Sequence, residues 1–233
     1  MKIDSIFFDF DGTLVDSLPG IQQAFESAVK AVLPSYPIPD LGSHIGPPIR
    51  EIFRTIFKDL SEEKIDALVS HFRQNYDQES CIMAKVYPKV PETLYILNQM
   101  GIKCFLITNK PIAPTKRILK NSDLEGYFQT VISPDVKIPP FKNKIEMAIF
   151  IIRKYQIKPS FTLFVGDSQE DQRAAKESGT IFIPAVYGYG GIRVNSQIAK
   201  KIALSTFSDL LLIIGSKNEE LRQKLSKFSF DIL

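Results

Sequence analysis

The sequence predicts an α/β fold, a doubly wound parallel sheet carrying an inserted all-helical segment, and three features carry that prediction. The chain opens on a short apolar run that ends abruptly in carboxylates. Only helical periodicity occupies the next sixty or so residues, and from Tyr87 onward strand-like and helix-like segments alternate. A length of 233 residues fits one large domain, or one domain with a smaller insert, against a prior of about 150 residues per domain.

Ser5 to Phe8, rich in Ile and Phe, reads as a buried strand running into the polar turn Asp9-Phe10-Asp11-Gly12. Ile21, Ala24, Phe25, Ala28 and Val32 then recur at helical spacing, as do Ile49, Ile52, Phe53, Ile56 and Phe57, and Ile65, Leu68, Val69, Phe72 and Tyr76. The Pro- and Gly-rich stretch from Leu33 to Pro48 separates the first two helices. Beyond Tyr87-Pro88 come a helix from Pro91 to Met100, with Pro in its first turn and Gly101 past its end, and a strand from Lys103 to Ile107. A helix near Pro111 to Lys120, a strand at Thr130 to Ile132 and a helix from about Asn143 to Tyr155 follow. The strand Phe161 to Val165, a helix over Asp171 to Ser178, the strand Ile181 to Val186 and a Leu210-Leu211-rich terminal helix complete the order. The expected domains are therefore a core of residues 1–16 and 86–233 and a helical cap of residues 17–85, hinged near Val15 to Leu18 and Met83 to Pro88.

Composition removes several function classes. Apolar residues make up 44% and charged residues 24%, values that support a packed core. Lysine plus arginine exceed aspartate plus glutamate by 29 to 26 with no basic run, so nucleic acid is not an expected partner. No apolar stretch has the length of a membrane span or a signal h-region, and two isolated cysteines make neither a disulfide framework nor a metal cluster. A cytoplasmic protein, monomer or homodimer, is the expectation.

In a doubly wound sheet the ligand crevice lies beyond the C-terminal strand ends. Those ends offer Asp9 and Asp11, then Thr108, Asn109 and Lys110, then Gly166, Asp167, Ser168 and Asp171, with a lysine-rich loop holding Lys137, Lys142 and Lys144. Gathered carboxylates repel one another unless a cation neutralises them. Oxygen donors favour Mg2+ over zinc, since both histidines, His44 and His71, fall in the insert. An ammonium and a hydroxyl opposite suit a phosphoryl group. In the insert, Arg50 is a candidate for substrate selection, and Phe53, Phe57 and Phe72 for the insert's own core.

DFDGTLVDS (Asp9 to Ser17), TNK (Thr108 to Lys110), a lysine at a helix start and GDSQEDQRAAKESG (Gly166 to Gly179) resemble, in order and spacing, the four motifs of the haloacid dehalogenase-like superfamily. The match is to its phosphoglycolate phosphatase-like branch and spans nearly the whole chain. The resemblance implies a Mg2+-dependent phosphatase acting on a small phosphomonoester such as phosphoglycolate. Asp9 would be the nucleophile and form an aspartyl-phosphate, and Asp11 the proton donor and acceptor. Asp9, Asp11 and Asp167 would hold the metal. Thr108, Asn109 and Lys144 would contact the phosphate, with Asp171 behind them. Lys144 is preferred as the motif lysine because it opens a helix; Lys137 and Lys142 remain alternatives. A mutase is disfavoured because the first turn of the insert, Leu18 to Gln22, lacks histidine. A 5'-nucleotidase or pyrophosphatase of the same superfamily, or a non-enzymatic phospho-acceptor or binding protein, are the rival readings.

Overall fold

The computed structural model describes residues 3–39, 41, 44, 47–192 and 202–215. In chain order the elements are β1 (Ser5–Phe8), β2 (Val15–Asp16), α1 (Leu18–Val32), α2 (Ile49–Ile56), α3 (Glu62–Gln78), β3 (Lys85–Val86) and α4 (Val90–Gln99). They continue as β4 (Lys103–Ile107), α5 (Ile112–Asn121), β5 (Thr130–Ile132), α6 (Lys144–Tyr155), β6 (Thr162–Gly166), α7 (Gln169–Ser178), β7 (Ile181–Pro184) and α8 (Asp209–Gly215).

Five strands form one parallel sheet in the order β5-β4-β1-β6-β7, the arrangement expected of a doubly wound α/β core. Parallel sheets bury both faces, which is why these strands are continuous apolar runs and not alternating ones. Phe7 points to one face, among Phe105, Phe164, Phe182 and the inner sides of α6 and α7. Its ring meets those of Phe105 and Phe164 edge-on, with centroids 5.6 and 6.1 Å away. Ile6 and Phe8 point to the other face and join Leu94, Leu106, Leu119 and Leu210. Fully burying each such side chain stabilises the fold by about 1.5–3 kcal/mol.

The register decides where the chemistry lies. Phe8 is level with Leu106 on one side and Val165 on the other. Asp9, Thr108 and Asp167, one or two residues further along, therefore leave the same edge of the sheet. The Asp9 amide still donates to the Val165 carbonyl at 2.9 Å, and the Thr108 amide to Ile132 at 3.0 Å, so the ladder holds the first residues beyond the strands. Strand connections run to opposite sides of β1, and the crevice opens at that reversal.

Between β2 and β3 the chain is helical, and its aromatic residues stack on one another. Phe25 lies 4.9 Å from Phe53 with nearly parallel rings, Phe53 meets Phe72 edge-on at 6.3 Å, and Phe72 stacks on Tyr76 at 5.2 Å. The sequence did not disclose that the two crossing points pair with each other: Val15 with Val86 and Asp16 with Lys85 make a two-residue antiparallel ribbon. Two-residue strands carry too few residues for a recognisable alternation. No helix among the described residues is long and apolar enough to cross a membrane.

Candidate active site

Two helix starts place the key polar groups. The Asn143 side chain accepts the Glu146 amide at 3.0 Å and caps α6, which makes Lys144 its first residue and turns its ammonium into the crevice. Ser168 caps α7 in a capping box: its hydroxyl accepts the Asp171 amide, and Asp171 Oδ2 accepts the Ser168 amide at 3.1 Å. That box fixes Asp171 with Oδ1 facing Lys144.

Lys144 Nζ donates to Asp9 Oδ1 and to Asp171 Oδ1, each at 2.6 Å, and all three side chains are buried. Burial opposes the ammonium, but Asp171 and Asp9 outweigh it and hold Lys144 above the ordinary lysine range. Lys137 lies instead over the Phe141 ring, 4.2 Å from its centroid, and Lys142 contributes its backbone amide to Glu146. Of the three lysines weighed from the sequence, only Lys144 enters the acidic cluster.

Asp167 sits beside this pair. Its Oδ2 accepts the Gly190 amide at 2.7 Å, and carboxylate oxygens of Asp9, Asp167 and Asp171 all lie within 4.8 Å of one another. The backbone crowds Asp167 closely enough to exclude side chains. A Cβ on Gly12, whose φ is +81°, would fall 1.9 Å from Asp167 Oδ2, and one on Gly188 would fall 2.4 Å from it. Burial, and after it the charge on Asp171, pushes the Asp167 carboxyl up to about 7; burial and Asp171 likewise raise Asp9, against the pull of Lys144.

Three clustered carboxylates facing one ammonium leave two negative charges uncompensated in a buried place. A divalent cation with oxygen ligands fits that deficit, and Mg2+ fits the all-oxygen donor set. Asp171 has both oxygens occupied by Lys144 and Ser168, whereas among the described residues Asp9 Oδ2 meets only the Thr13 hydroxyl, at 3.5 Å. Asp9 and Asp167 are therefore the side chains available to a metal. The Asp11 carboxylate stands outside the cluster: Oδ1 accepts the Ser17 hydroxyl at 2.5 Å and faces Lys110 Nζ at 3.1 Å. As a metal ligand Asp11 could offer its backbone carbonyl.

Asp9, Asp11, Lys110, Lys144 and Asp167 line a cavity of about 90 Å3 together with Thr108, Asn109, Ser168 and Tyr189, roofed from the helical insertion by Ile21, Ile49, Ile52, Phe72, Arg73 and Tyr76. Thr108 Oγ1 accepts the Lys110 amide at 3.1 Å, which leaves its proton free to donate into the cavity. Asn109 is turned to Glu170, donating to it at 2.7 Å. Arg50 does not reach the cavity. It follows Ile49 on α2, and the 100° helical step carries it to the outer face, where its guanidinium pairs with Glu62 at 3.1 Å and with Asp66. Arg73, from α3, is the insertion's cation at the cavity among the described residues, 3.7 Å from Asp77. His44 lies among the described residues, and neighbouring Ile45 and Gly46 lie outside them.

Four participants escaped the sequence reading: Arg73, Tyr76 in its polar role, Ser17 and Tyr189. Tyr76 occupied an apolar stripe position, and nothing in its spacing marked the hydroxyl. It reaches Lys110 Nζ at 2.6 Å, and burial pushes its phenol up to about 12 against the pull of Lys110. Tyr189 meets Ser17 at 2.7 Å across 172 residues of sequence, a separation no local pattern reveals.

A family model for haloacid dehalogenase-like hydrolases matches residues 6–185. The chain belongs to that family. It is 32% identical over 215 residues to a phosphoglycolate phosphatase of Aquifex aeolicus, covering 91% of this chain and 96% of the relative. It is 30% identical over 218 residues to the pyrophosphatase PpaX of Anoxybacillus flavithermus, covering 92% and 98%. Among solved structures, that of a predicted phosphoglycolate phosphatase from Haemophilus somnus 129PT superposes with a TM-score of 0.78 at 27% identity, over 91% of this chain and 98% of the other. The shared family accounts for the strand order and for the polar motifs at three strand ends, acidic after β1 and β6 and Thr-Asn-Lys after β4.

Proposed function

We propose that this haloacid dehalogenase-like hydrolase is a Mg2+-dependent phosphatase that cleaves a small phosphomonoester through an aspartyl-phosphate on Asp9. The observation that carries the reading is the buried Lys144 held between Asp9 and Asp171, next to Asp167 and Thr108 at the rim of one small cavity.

With Oδ1 fixed by Lys144, Asp9 presents Oδ2 for in-line attack on phosphorus, and the bond from phosphorus to the leaving oxygen breaks. Asp11 supplies the proton that the departing alkoxide needs. In the second half water attacks the same phosphorus, its proton passes to Asp11, and inorganic phosphate leaves with the Asp9 carboxylate restored. The Thr108 hydroxyl and the Lys144 ammonium face the phosphoryl oxygens and neutralise charge as it develops. Asp9, Asp167 and the Asp11 carbonyl would hold Mg2+, which supplies Lewis-acid charge neutralisation and orientation of the phosphoryl group. Residues 17–85 act as a cap that shuts water out of the reaction, with Arg73 in the substrate-binding place first assigned to Arg50.

A cavity of about 90 Å3 favours an ester of a few carbons over a nucleotide. The apolar roof of Ile21, Ile49, Ile52 and Phe72 also suits a carbon-bearing leaving group better than the second dianion of pyrophosphate. The family-level candidate is phosphoglycolate, the compound named for the Aquifex aeolicus relative. Turnover of phosphoglycolate, pyrophosphate, a nucleoside monophosphate and p-nitrophenyl phosphate in Mg2+ and in EDTA tests the proposal. Hydrolysis that survives EDTA or Asp9→Asn would overturn it.

A further inference from the structure

Lys110 is a buried lysine outside the acidic cluster, and it joins the insertion to the acid–base residue. Its Nζ donates to the Tyr76 hydroxyl at 2.6 Å, lies 4.5 Å from the centre of the Tyr76 ring, and sits 3.1 Å from Asp11 Oδ1. Tyr76 belongs to α3, whereas Lys110 follows β4 and Asp11 follows β1. Ser17 holds the same Asp11 oxygen at 2.5 Å and is itself tied to Tyr189 at 2.7 Å. Oδ1 is thus gripped from two sides. Oδ2 takes no hydrogen bond from the described residues, and Asp11 borders the cavity.

A carboxyl pinned by one oxygen presents the other in a fixed direction, which is what proton transfer to a leaving oxygen requires. Ser17 alone leaves the carboxyl plane free to swing about a single contact; a second contact to Lys110 fixes the plane. Lys110 in turn is steadied by Tyr76, and the Tyr76 hydroxyl is present only while α3 lies against the core. Lys110 borders the cavity, yet its ammonium is spoken for by Asp11, the Tyr76 hydroxyl and the Tyr76 ring, which distinguishes it from Lys144 as a phosphate ligand.

We propose that Tyr76 and Lys110 form a positioning bridge through which docking of α3 orients Asp11 for proton transfer. The proposal rests on the phosphatase reading and deepens it: the acid–base residue is set for work only under a seated cap. An uncapped site keeps its nucleophile but holds Asp11 loosely, so a good leaving group still departs and a poor one does not.

Leaving-group dependence separates this role from a structural one. The quantity to compare is kcat/KM, which stops at formation of the aspartyl-phosphate, for an alkyl phosphate and for p-nitrophenyl phosphate, whose phenolate departs without a proton. Lys110→Met should lower kcat/KM for the alkyl ester by about 100-fold, the low end of what a general acid contributes, and for the aryl ester at least tenfold less. Tyr76→Phe, which keeps the ring and removes the hydroxyl, should produce the same selectivity with smaller amplitude. Equal losses on both esters would overturn the proposal, as would a Tyr76→Phe enzyme equal to wild type on the alkyl ester. A thermal-unfolding double-mutant cycle over Tyr76→Phe and Lys110→Met reads the bridge independently of turnover, and additive melting shifts would overturn it too. A wild-type protein that hydrolyses neither ester would instead sink the phosphatase reading, and the cycle would still decide the bridge.

Discussion

Replacing Lys144 with methionine would keep most of the length of the side chain and remove its charge, stranding two carboxylates that pair with no other cation among the described residues. Lys144 contacts Asp9 and Asp171 at 2.6 Å each, and the side chains of the three residues are 5%, 6% and 0% exposed, so bulk water screens the stranded charges poorly. Removing one partner of a buried ion pair destabilises a fold by about 3–5 kcal/mol. An independent route reaches a similar figure. If one stranded carboxyl escapes by taking up a proton at pH 7, about three units above its ordinary pKa, the penalty is about 4 kcal/mol at 1.36 kcal/mol per unit. For a chain of this length that amounts to a fall in Tm of roughly 6–20 °C. The same reasoning requires the deficit to shrink to about 1.4 kcal/mol near pH 5, where protonation is easier. It also requires Asp9→Asn in the Lys144→Met background to restore part of the loss. Thermal and urea unfolding of wild type, both single variants and the double variant, in EDTA at pH 7 and pH 5, measures all of this. A Lys144→Met protein within 1 kcal/mol of wild type at both pH values, with additive effects of Asp9→Asn, would refute the claim that the lysine offsets buried acid charge.

Other expectations concern metal, space and exposure. Asp167, raised to about 7 in the fold from about 4 in an unfolded chain, binds more protons folded than unfolded between those values. It therefore makes metal-free protein lose stability as pH rises from 4 to 7, and Mg2+ should raise Tm by an amount that grows over the same window. An Asp167→Asn protein whose Tm in EDTA falls with pH as steeply as that of wild type would exclude this account. Gly12→Ala should abolish the site geometry, because its Cβ would overlap the Asp167 carboxylate at a φ of +81°; the measurable result is loss of both turnover and Mg2+-dependent stabilisation. Arg73→Ala should raise KM for an ester bearing a second negative charge, while Arg50→Ala, outside the cavity, should leave it within twofold; the reverse order would return Arg50 to the site. Burial pushes the Cys104 thiol up to about 12, so iodoacetamide at pH 8 should label it only after unfolding.

Much of the site could be read from the chain because the relevant residues are local to strand ends. An apolar run such as Ser5–Phe8 that stops at Asp9 announces both a strand and what emerges from it, and the same holds for Ile107 before Thr108 and Gly166 before Asp167. Lys144 was legible because it opens the helix that the pattern from about Asn143 to Tyr155 announces, and the structure shows Asn143 capping that helix. What stayed hidden depends on where helix faces point after packing. Arg50 and Arg73 are both cations on amphipathic helices, and only the rotation of α2 and α3 about their own axes within the packed insertion sends one outward and the other to the cavity. Tyr76 looked like one more apolar stripe residue because its ring is indeed stacked on Phe72; its hydroxyl acquires meaning only beside Lys110.

The two-residue ribbon of β2 and β3 has a further consequence. Val15 faces Val86, and the Tyr87 amide donates to the Leu14 carbonyl at 3.0 Å, so the chain departs and returns through neighbouring strands only about 5 Å apart. Whatever is spliced between those ends leaves the sheet's connectivity untouched, as a bayonet socket is indifferent to its lamp. A short turn or an unrelated domain could be grafted there, and one hydrolytic base could thereby be refitted for different substrates without redesigning its catalytic edge.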